Sequence, residues 1–447
     1  MQRSGDRLRI AVVGTGIAGM SAAWLLNHAH DVTVYEQAPR LGGHSNTIDV
    51  PGDIPGETPA TPVDMGFIVY NPATYPNLVA LFDHLRVPTQ SSEMSFAVLL
   101  RGGALEYAGT DLNGLFAQRG NLLRPRFWSM LKDLLRFYRN APADARDPGT
   151  ETQSLGDYLA AGGYGEPFIR DHLLPMAAAI WSAPARRMAD HPASAFLRFC
   201  ENHGLLQLTN RPQWRTVTGG SREYVKRLTA DFADHIHLSC PVHTIRRRPE
   251  GVELTPFHGA PQLYDHVVIA AHADQALRLL ADPSMDETRL LGAILYGQNQ
   301  AVMHRDQSLM PRRRRAWCSW NYIGGEREDL CATYWMNRLQ SLPGAPVFVT
   351  LNPPGPVADV LHQEIYEHPQ FDDAALRAQR QLWSLQGVRN TWFCGAYFGA
   401  GFHEDGLQAG LAVAESLGGQ PRPWTVPDPS GRIHTTPINA VLAALAA

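Results

Sequence analysis

The chain has 447 residues, with 39 Lys and Arg against 43 Asp and Glu and a net charge of −4. The length predicts two or three domains, and the charge balance excludes a broadly basic nucleic-acid-binding protein. No run of about 18 apolar residues occurs and the polar N-terminus lacks a signal-peptide pattern, so we expect a cytoplasmic protein. The five cysteines include no CxxC pair, which argues against a disulfide framework and a zinc site.

The N-terminal segment has the pattern of a strand, a glycine-rich turn and a helix. An apolar run at 8–13 predicts a buried parallel strand, and a GxGxxG motif follows it. Its glycines permit a tight turn, a close approach of the backbone to a pyrophosphate, and close packing of helix on strand. A second strand, 31–35, ends at an acid placed to accept hydrogen bonds from ribose hydroxyls. The predicted dinucleotide contacts are Gly14, Gly16, Ile17, Ala18, Gly19, Glu36 and Gln37.

The residues directly after Glu36 indicate which dinucleotide the chain binds. Arg40, Gly42 and Gly43 form an Arg-x-Gly-Gly element directly after the acidic residue. Here the chain resembles the flavoprotein superfamily of amine oxidases, protoporphyrinogen oxidases and phytoene desaturases, in which this element makes a second pass along the FAD phosphates. His44 stands where the superfamily usually has Arg. The resemblance implies FAD as the cofactor and adds these four residues to the predicted FAD contacts.

Later segments continue the resemblance to this superfamily. In relatives, the residue at the place of Val242 holds the adenine through its main chain, and backbone at the place of Gly66 passes the isoalloxazine. A helix beginning near residue 404 implies a positive helix end directed at the flavin pyrimidine, where it stabilises negative charge on the reduced ring. The further FAD contacts that the resemblance implies are Gly66, Phe67, Val242, Gly395, Glu404, Asp405 and Leu407.

At a closer level the chain resembles a bacterial family described as predicted NAD/FAD-binding proteins. The shared sequence motifs are spread over almost the whole chain and include 41–46, 64–71, 319–322, 333–340 and 401–407. This resemblance implies an α/β fold of the amine-oxidase type. A Rossmann-type, discontinuous FAD-binding domain would carry an inserted α+β substrate domain.

The recurrence of FAD elements near the start, middle and end of the sequence sets the predicted domain boundaries. The FAD-binding domain is predicted at 1–75, 212–275 and 386–425, the substrate domain at 76–211 and 276–385, and a C-terminal tail at 426–447. The tail carries many prolines, and its last eight residues predict a short helix.

The lysine content bears on the chemistry. Amine oxidases of the superfamily commonly hold a lysine near flavin N5, whereas the corresponding stretch here, 296–304, contains none. Lys132 and Lys226 are the only lysines of the chain, and both fall in predicted helices. This absence favours dehydrogenation of a hydrophobic fatty-acyl or lipid substrate by hydride transfer to flavin N5. A flavin-containing amine oxidase and a non-catalytic flavin redox sensor are the alternatives.

Two histidines are candidate catalytic residues. His403 is expected beside the flavin, where an imidazole exchanges protons near neutral pH. His304 either points into the cavity from a strand or is a core histidine. His362 and His368 are expected to be surface residues. The candidate substrate-binding side chains are Tyr70 and Phe402, expected beside the flavin, and Trp320, Tyr322, Tyr334 and Trp335, which could equally form an aromatic core.

Two basic segments are candidates for peripheral contact with the inner face of the membrane. Residues 124–139 form a basic amphipathic pattern with Trp and Phe, typical either of an interfacial helix or of a surface helix with a buried stripe. Phe127, Leu131, Leu134, Leu135 and Tyr138 are expected on its apolar face. The four arginines at 312–315 form a second positive patch, which could equally be a solvated loop. The oligomeric state stays open at this stage.

Overall fold

The computed structural model describes residues 7–52, 59–181, 184–202, 204–207, 211–324 and 330–436. The predicted helix at the end of the tail lies outside these residues. The described strands are β1 (Arg9–Val13), β2 (Asp31–Tyr35), β3 (Thr47–Val50), β4 (Thr61–Asp64), β5 (Thr89–Ser92), β6 (Phe96–Leu100), β7 (Leu105–Ala108), β8 (Trp214–Val217), β9 (Ile236–His237), β10 (Val242–Arg248), β11 (Gly251–Pro256), β12 (Gln262–Tyr264), β13 (His266–Ile269), β14 (Leu295–His304), β15 (Trp320–Gly324), β16 (Ala332–Trp335), β17 (Phe348–Leu351), β18 (Val360–Gln370) and β19 (Thr391–Phe393).

The α-helices are interspersed with these strands along the chain, and α3 to α9 all lie between β7 and β8. They are α1 (Ile17–Asn27), α2 (Pro76–His84), α3 (Leu112–Leu115), α4 (Pro125–Asp144), α5 (Leu155–Ala161), α6 (Glu166–Phe168), α7 (Leu174–Trp181), α8 (Ala185–Met188), α9 (Ala193–Asn202), α10 (Arg222–Thr229), α11 (Ala273–Leu279), α12 (Met285–Leu291), α13 (Met336–Leu339), α14 (Asp373–Leu382) and α15 (His403–Ser416). A π-helical turn, Ile169–Leu173, joins α6 to α7.

A five-stranded parallel sheet forms the centre of the first domain, in the order β19-β13-β1-β2-β9. Its central strand β1 is apolar and buried from Ile10 to Val13, as expected for a parallel strand covered on both faces. Helices α1 and α15 pack against one another over this sheet. The Rossmann-type FAD-binding architecture predicted from the sequence is confirmed.

A seven-stranded mixed sheet forms the second domain, in the order β18-β14-β17-β16-β15-β6-β7. Directly opposed residues share a face of a sheet, so the registers place Phe96, Trp320 and Tyr334 together on one face. The same face continues through Leu351 and Tyr366 at the other edge. This face, together with helices α7 and α9, closes one side of the cavity described below.

The hydrophobic cores differ from the predicted boundaries at three helices. Leu78 of α2, Leu290 of α12 and Ala375 of α14 belong to the core of the five-stranded sheet, although the sequence assigned their segments to the substrate domain. These helices cover the outside of the parallel sheet because apolar faces of helices bury against the nearest sheet.

Helix α4 buries most of the predicted apolar face. Phe127, Met130 and Phe137 are buried at helical spacing, and the predicted residues Leu131, Leu134 and Tyr138 pack partly buried against the same core. Leu135, also predicted on this face, is exposed instead. Within the described residues, no helix is both long and apolar enough to cross a membrane.

Candidate active site

A cavity of about 790 Å³ lies between the two domains. We divide it by the residues that line it. The nucleotide half is lined by Gly14, Gly16, Ile17, Ala18, Glu36, Gln37, Gly42, Gly43, His44 and Val242. The substrate half is lined by Met94, Phe96, Met176, Ile180, Trp181, Phe199, Leu205, Arg211, Trp214, Trp320, Tyr334, Leu351 and Phe402.

The loop after β1 has the geometry of a phosphate-binding turn. Gly14 adopts φ +101°, and a Cβ there would lie 2.7 Å from the carbonyl oxygen of Ala270. A Cβ on Gly19 would lie 2.0 Å from the oxygen of Gly14, so this glycine is required for α1 to pack on the turn. Gly16 differs, because a Cβ there would meet no protein atom within 4 Å and the residue lines the cavity. The turn therefore presents bare backbone to a ligand at Gly16.

Glu36 braces the same loop. Its carboxylate accepts hydrogen bonds from the Thr15 amide at 2.8 Å and the Thr15 hydroxyl at 2.6 Å. Its second oxygen accepts a hydrogen bond from the Ala38 amide at 2.8 Å. Because a carboxylate has about four acceptor positions, Glu36 can order the loop and still accept ribose hydroxyls at the cavity.

The second glycine turn lies directly on the first. The Gly42 amide donates to the Thr15 carbonyl at 3.1 Å. Gly43 has φ +56°, and a Cβ there would lie 3.1 Å from the Cα of Gly16. Arg40 is not among the cavity-lining residues: its guanidinium donates to the Gly43 carbonyl at 2.7 Å and thereby fixes the turn. Of the residues predicted for this element, the two glycines and His44 line the cavity.

The far end of the nucleotide half is formed by the start of β10. Val242 lines the cavity and faces Pro256 in the ladder with β11. The Phe257 amide donates to the Pro241 carbonyl, so the alternating antiparallel pattern makes Val242 and Pro256 a non-hydrogen-bonded pair. The register also shifts between Val242 and Thr244. The main chain of Val242 is thus placed to hydrogen-bond a ligand at the cavity.

The N-terminal end of α15 points its first residues at the cavity, where Phe402, His403 and Gly406 form part of the wall. Glu404 and Asp405 lie elsewhere, fully buried. The Glu404 carboxylate accepts hydrogen bonds from the amides of Asn77 and Leu78 at the start of α2.

Asp405 turns away from the cavity in the same way. It forms an ion pair of 2.6 Å with Arg432 and accepts a hydrogen bond from the Phe402 amide at 2.7 Å. Leu407 is also fully buried and outside the cavity wall. The observed side chains of Glu404, Asp405 and Leu407 therefore hold α15 in place rather than contact the cavity.

His403 is held by two aromatic neighbours. Its ring stacks on Phe67 with 3.9 Å between centroids, and its Nε2 lies 2.8 Å from the Tyr224 hydroxyl. Burial lowers the pKa of His403 to about 3. The imidazole is therefore neutral near pH 7, in contrast to the proton exchange expected from the sequence.

A cluster of three histidines lines the cavity between its halves. His44 lies 5.5 Å from His368 and 6.3 Å from His272, measured between ring centroids. Burial, followed by the neighbouring histidines, lowers the pKa of His44 well below its usual value. Burial likewise lowers the pKa of His368 to about 4. The cluster is neutral at physiological pH, and His368 is a cavity residue rather than the surface residue expected.

The substrate half is apolar and aromatic. Phe199 stacks on Phe402 at 4.9 Å and contacts Trp181 at 4.6 Å, while Trp320 meets Tyr334 edge-to-face at 5.1 Å. Arg211 is the charged side chain in this part of the described lining. Such a wall suits an apolar ligand with one polar end.

The remaining predicted residues lie away from the cavity. His304 is fully buried, with Nε2 2.7 Å from the Thr350 hydroxyl and Nδ1 accepting the Asp306 amide, so it is a satisfied core histidine. Trp335 follows Tyr334 directly in β16 and points to the opposite face of the sheet, because side chains alternate along a strand.

Tyr70 and Tyr322 are buried outside the cavity wall. The Tyr70 backbone instead bridges to Arg215. Gly66 does line the cavity, but a Cβ there would lie 2.1 Å from the His44 carbonyl oxygen, so its small size serves packing within the protein.

Comparison with known proteins identifies the family. The family model for flavin-containing amine oxidoreductases matches residues 17–308, more than half of the chain. The chain belongs to this family. Membership of this flavin-containing family supports FAD, the cofactor that the sequence predicted.

Individual curated relatives share limited sequence identity with this chain. AofH of Mycobacterium tuberculosis (strain H37Rv), named provisionally as a flavin-containing monoamine oxidase, is 27% identical over 285 residues. That match covers 62% of this chain and 59% of the relative's length.

Among solved structures, a CLA-producing fatty acid isomerase from P. acnes has a TM-score of 0.66 at 16% identity, covering 92% of this chain and 98% of that one. Cyclohexylamine oxidase from Brevibacterium oxydans IH-35A has a TM-score of 0.65 at 17% identity, covering 92% and 100%. These two likenesses support the fold.

The cavity residues fit FAD. Gly16 leaves backbone open where a pyrophosphate would pass, Gly43 lines the cavity beside it, and the start of α15 presents a positive helix end. Tyr397 supplies a further polar group: it lines the cavity and is buried, and its hydroxyl has no hydrogen-bond partner among the described residues.

Several cavity residues were missed by the sequence reasoning, namely His272, His368, Tyr366, Tyr397, Trp181, Phe199 and Arg211. A signal existed for two of them. Tyr366 and His368 are two residues apart on β18, which is the spacing of side chains on one face of a strand.

Proposed function

We propose that the protein is an FAD-dependent oxidoreductase and that it dehydrogenates a hydrophobic substrate with an anionic end, such as a fatty-acyl carboxylate. The observation that carries the proposal is the lining of the substrate half. Aromatic and aliphatic side chains surround it, and Arg211 is its charged group. An acyl chain would bury apolar surface against this wall at roughly 25 cal/mol per Å².

Electrostatics favour this substrate over an amine. An alkyl ammonium would enter a half-cavity whose charged side chain is the exposed guanidinium of Arg211, and like charges repel each other. Neither Lys132 nor Lys226 is among the described lining residues. On β14, Gly297, Asn299 and Ala301 lie opposite His368, Tyr366 and Glu364 and share their face of the sheet. This face of β14 therefore carries no lysine.

The chain's own residues would position the acyl chain and exclude water. The Phe402–Phe199 stack, Trp181 and the sheet face with Trp320 and Tyr334 line the part of the cavity that would hold the chain. The phosphate loop, the Gly42–Gly43 turn, Val242 and the start of α15 would hold FAD. When bound, FAD supplies a hydride acceptor, so that adjacent carbons can lose a hydride to the ring and a proton to water or a base.

The fatty acid isomerase of the same fold supports an acyl substrate, by analogy of fold alone. Amine oxidation is the second candidate, and it is favoured by the likeness to AofH and to cyclohexylamine oxidase.

Anaerobic flavin spectroscopy separates the two candidates. The purified holoenzyme would be mixed with dodecanoate, palmitate and oleate in one series, and with cyclohexylamine and putrescine in another. We expect loss of the oxidised flavin band with a fatty acid and formation of an unsaturated product, detected by mass spectrometry. Reduction by an amine without reduction by any acyl compound would replace the proposal by amine oxidation. No reduction in either series would favour a redox sensor.

A further inference from the structure

One surface of the substrate domain exposes an unusual number of large apolar side chains. Leu112 is 74% exposed, Leu123 is 88% exposed and Trp128 is 49% exposed. Leu122 and Leu135 are also exposed, at 47% and 48%. We call these five residues the Leu–Trp face. Apolar patches of this kind on a soluble protein mark interaction surfaces.

Contacts place the segments that carry these five residues beside one another. The Trp128 indole donates a hydrogen bond of 2.9 Å to the Leu122 carbonyl. The ring of Phe116 lies 5.7 Å from the ring of Trp128, and its amide bonds the Leu112 carbonyl in the preceding helical turn. Leu135 is two turns after Trp128 on α4 and therefore shares its side of the helix.

Basic side chains alternate with the Leu–Trp face. Lys132 and Arg139 are exposed on the same side of α4 as Trp128 and Leu135, at helical spacing. Residues 112–139 contain six basic residues and one acidic residue, a net charge of +5, whereas the whole chain has −4. The acidic residue, Asp133, is buried and paired with Arg136 at 3.1 Å.

The second basic segment, 312–315, lies beside the first. A Cβ on Gly103 would be 3.1 Å from the Arg312 Nε, and the adjacent Ala104 carbonyl accepts a hydrogen bond from Arg124. Both arginines thus contact one turn, 101–104. Arg312, Arg314 and Arg315 are exposed. The two segments, far apart in sequence, form one positive region around the Leu–Trp face.

Most nearby carboxylates are already neutralised. Glu106 is fully buried and pairs with Arg313 at 2.9 Å. Asp171 is buried and pairs with both Arg101 and Arg126, at 2.9 and 2.8 Å. Asp111 and Glu166 stay exposed, and Glu166 lies 3.5 Å from Arg126. The exposed lysine and arginines around the Leu–Trp face therefore carry an excess of positive charge.

We propose that the Leu–Trp face binds the surface of an anionic phospholipid bilayer. Leu123, Leu112 and Trp128 would enter the boundary between headgroups and acyl chains, a depth that an indole prefers. The surrounding Lys and Arg side chains would contact the anionic headgroups, each worth on the order of a fivefold change in affinity. The charge of this region selects an anionic lipid surface over a neutral one. This inference stands apart from the reaction proposed above.

Vesicle flotation tests it with the flavin-loaded protein. Binding would be measured to vesicles of phosphatidylcholine alone and of phosphatidylcholine with 30% phosphatidylglycerol, at low and high NaCl. The apolar variant is Leu123→Ser/Trp128→Ser. Its control is Met285→Ser, on α12 of the other domain, because Met285 is 90% exposed and Leu123 is 88% exposed.

The charge variant is Lys132→Glu/Arg139→Glu. Its control, Arg246→Glu/Arg380→Glu, reverses two exposed arginines of the FAD-binding domain and changes the net charge equally. Flavin content and the far-ultraviolet circular dichroism spectrum verify that each variant is folded.

We expect the wild type to bind anionic vesicles at least tenfold more tightly than neutral ones, and high salt to remove most of this difference. Each face variant should lose at least tenfold in affinity for anionic vesicles, while both controls keep the wild-type value. The proposal is overturned if anionic vesicles do not bind, if both vesicle types bind equally, or if face variants and controls behave alike. A dimer in sedimentation that Leu123→Ser/Trp128→Ser dissociates, without vesicle binding, would assign the face to self-association instead.

Discussion

The imidazole of His403 lies flat against the ring of Phe67, with 3.9 Å between centroids and 10° between planes. This stack fills the side of the imidazole that water would otherwise occupy, and the Tyr224 hydroxyl takes its Nε2. Burial then lowers the pKa of His403 to about 3. At the start of α15, the residue acts as a neutral hydrogen-bonding group at the cavity wall.

The variant His403→Gln tests this neutral role, since an amide can still bond the Tyr224 hydroxyl and does not titrate. We expect the variant to change the rate of flavin reduction less than tenfold. The pH–rate profiles of the variant and the wild type should have the same shape between pH 6 and 7. The rate would be followed by stopped-flow absorbance from pH 5 to 9. An inflection near pH 6.5 present only in the wild type would restore His403 as the proton-transfer group.

The same variant changes the dependence of stability on pH. Because folding lowers the pKa of His403 from 6.5 to about 3, the unfolded chain binds a proton more tightly between those values. Stability contributed by the neutral imidazole is present above pH 6.5 and is lost as pH falls. Between pH 6.5 and 5, the wild type should lose about 2 kcal/mol more than His403→Gln in urea unfolding. Equal losses would contradict the shifted pKa.

Gly16 and Gly19 belong to one motif, but a side chain would have different effects at the two positions. At Gly16 it would exclude the ligand, and at Gly19 it would disturb packing within the protein. A side chain at Gly16 meets only open space, so Gly16→Val should fold with an unchanged melting temperature in the apo form but retain less than a tenth of the FAD. A side chain at Gly19 collides with the Gly14 carbonyl, so Gly19→Val should destabilise the apo fold itself.

Flavin absorbance per protein and thermal unfolding would be measured for both variants, with Gly355→Val as the control because Gly355 also faces open space. Full flavin content in Gly16→Val would refute the placement of the phosphate at this loop.

The nucleotide half was largely predictable from the sequence because its constraints are local. A strand, three glycines and an acid at fixed spacing specify one turn geometry, and Gly14, Gly19 and Glu36 are held within it as the motif requires. The parallel sheet likewise follows from a continuous apolar run such as Ile10–Val13.

The orientation of side chains at the domain interface was not predictable in this way. Trp335 and Tyr334 are adjacent in sequence, and only the strand register decides which of them faces the cavity. Arg211 and Phe199 reach the substrate half from separate elements, so no local spacing connects them.

Glu404 illustrates how a motif residue can serve the fold. Its carboxylate accepts bonds from the Asn77 and Leu78 amides at the first turn of α2, from the Asn77 side chain and from Gln408. Glu404→Gln replaces one acceptor oxygen by a donor that faces other donors. We expect a loss of about 1–3 kcal/mol in the free energy of unfolding. Urea denaturation at pH 7 would measure this loss.

Flavin binding provides the contrasting readout for this variant. Folded Glu404→Gln should bind FAD with an affinity within threefold of the wild type, measured by fluorescence titration of the apoprotein. A large loss of FAD affinity with unchanged stability of the apo fold would show that Glu404 contacts the cofactor, as the family pattern implied.

The proposed acyl substrate predicts that Arg211 binds its anionic end. Hydrogen bonds to charged groups contribute about 1.5–3 kcal/mol, so Arg211→Gln should weaken binding of dodecanoate at least tenfold. Dodecanol, which has the same chain and no charge, should bind the wild type and Arg211→Gln within threefold of each other. Binding would be followed by quenching of tryptophan fluorescence, because Trp181 and Trp214 line the same half of the cavity. If dodecylamine bound the wild type more tightly than dodecanoate, the cavity would select ammonium ions, and the acyl substrate would be rejected independently of any turnover.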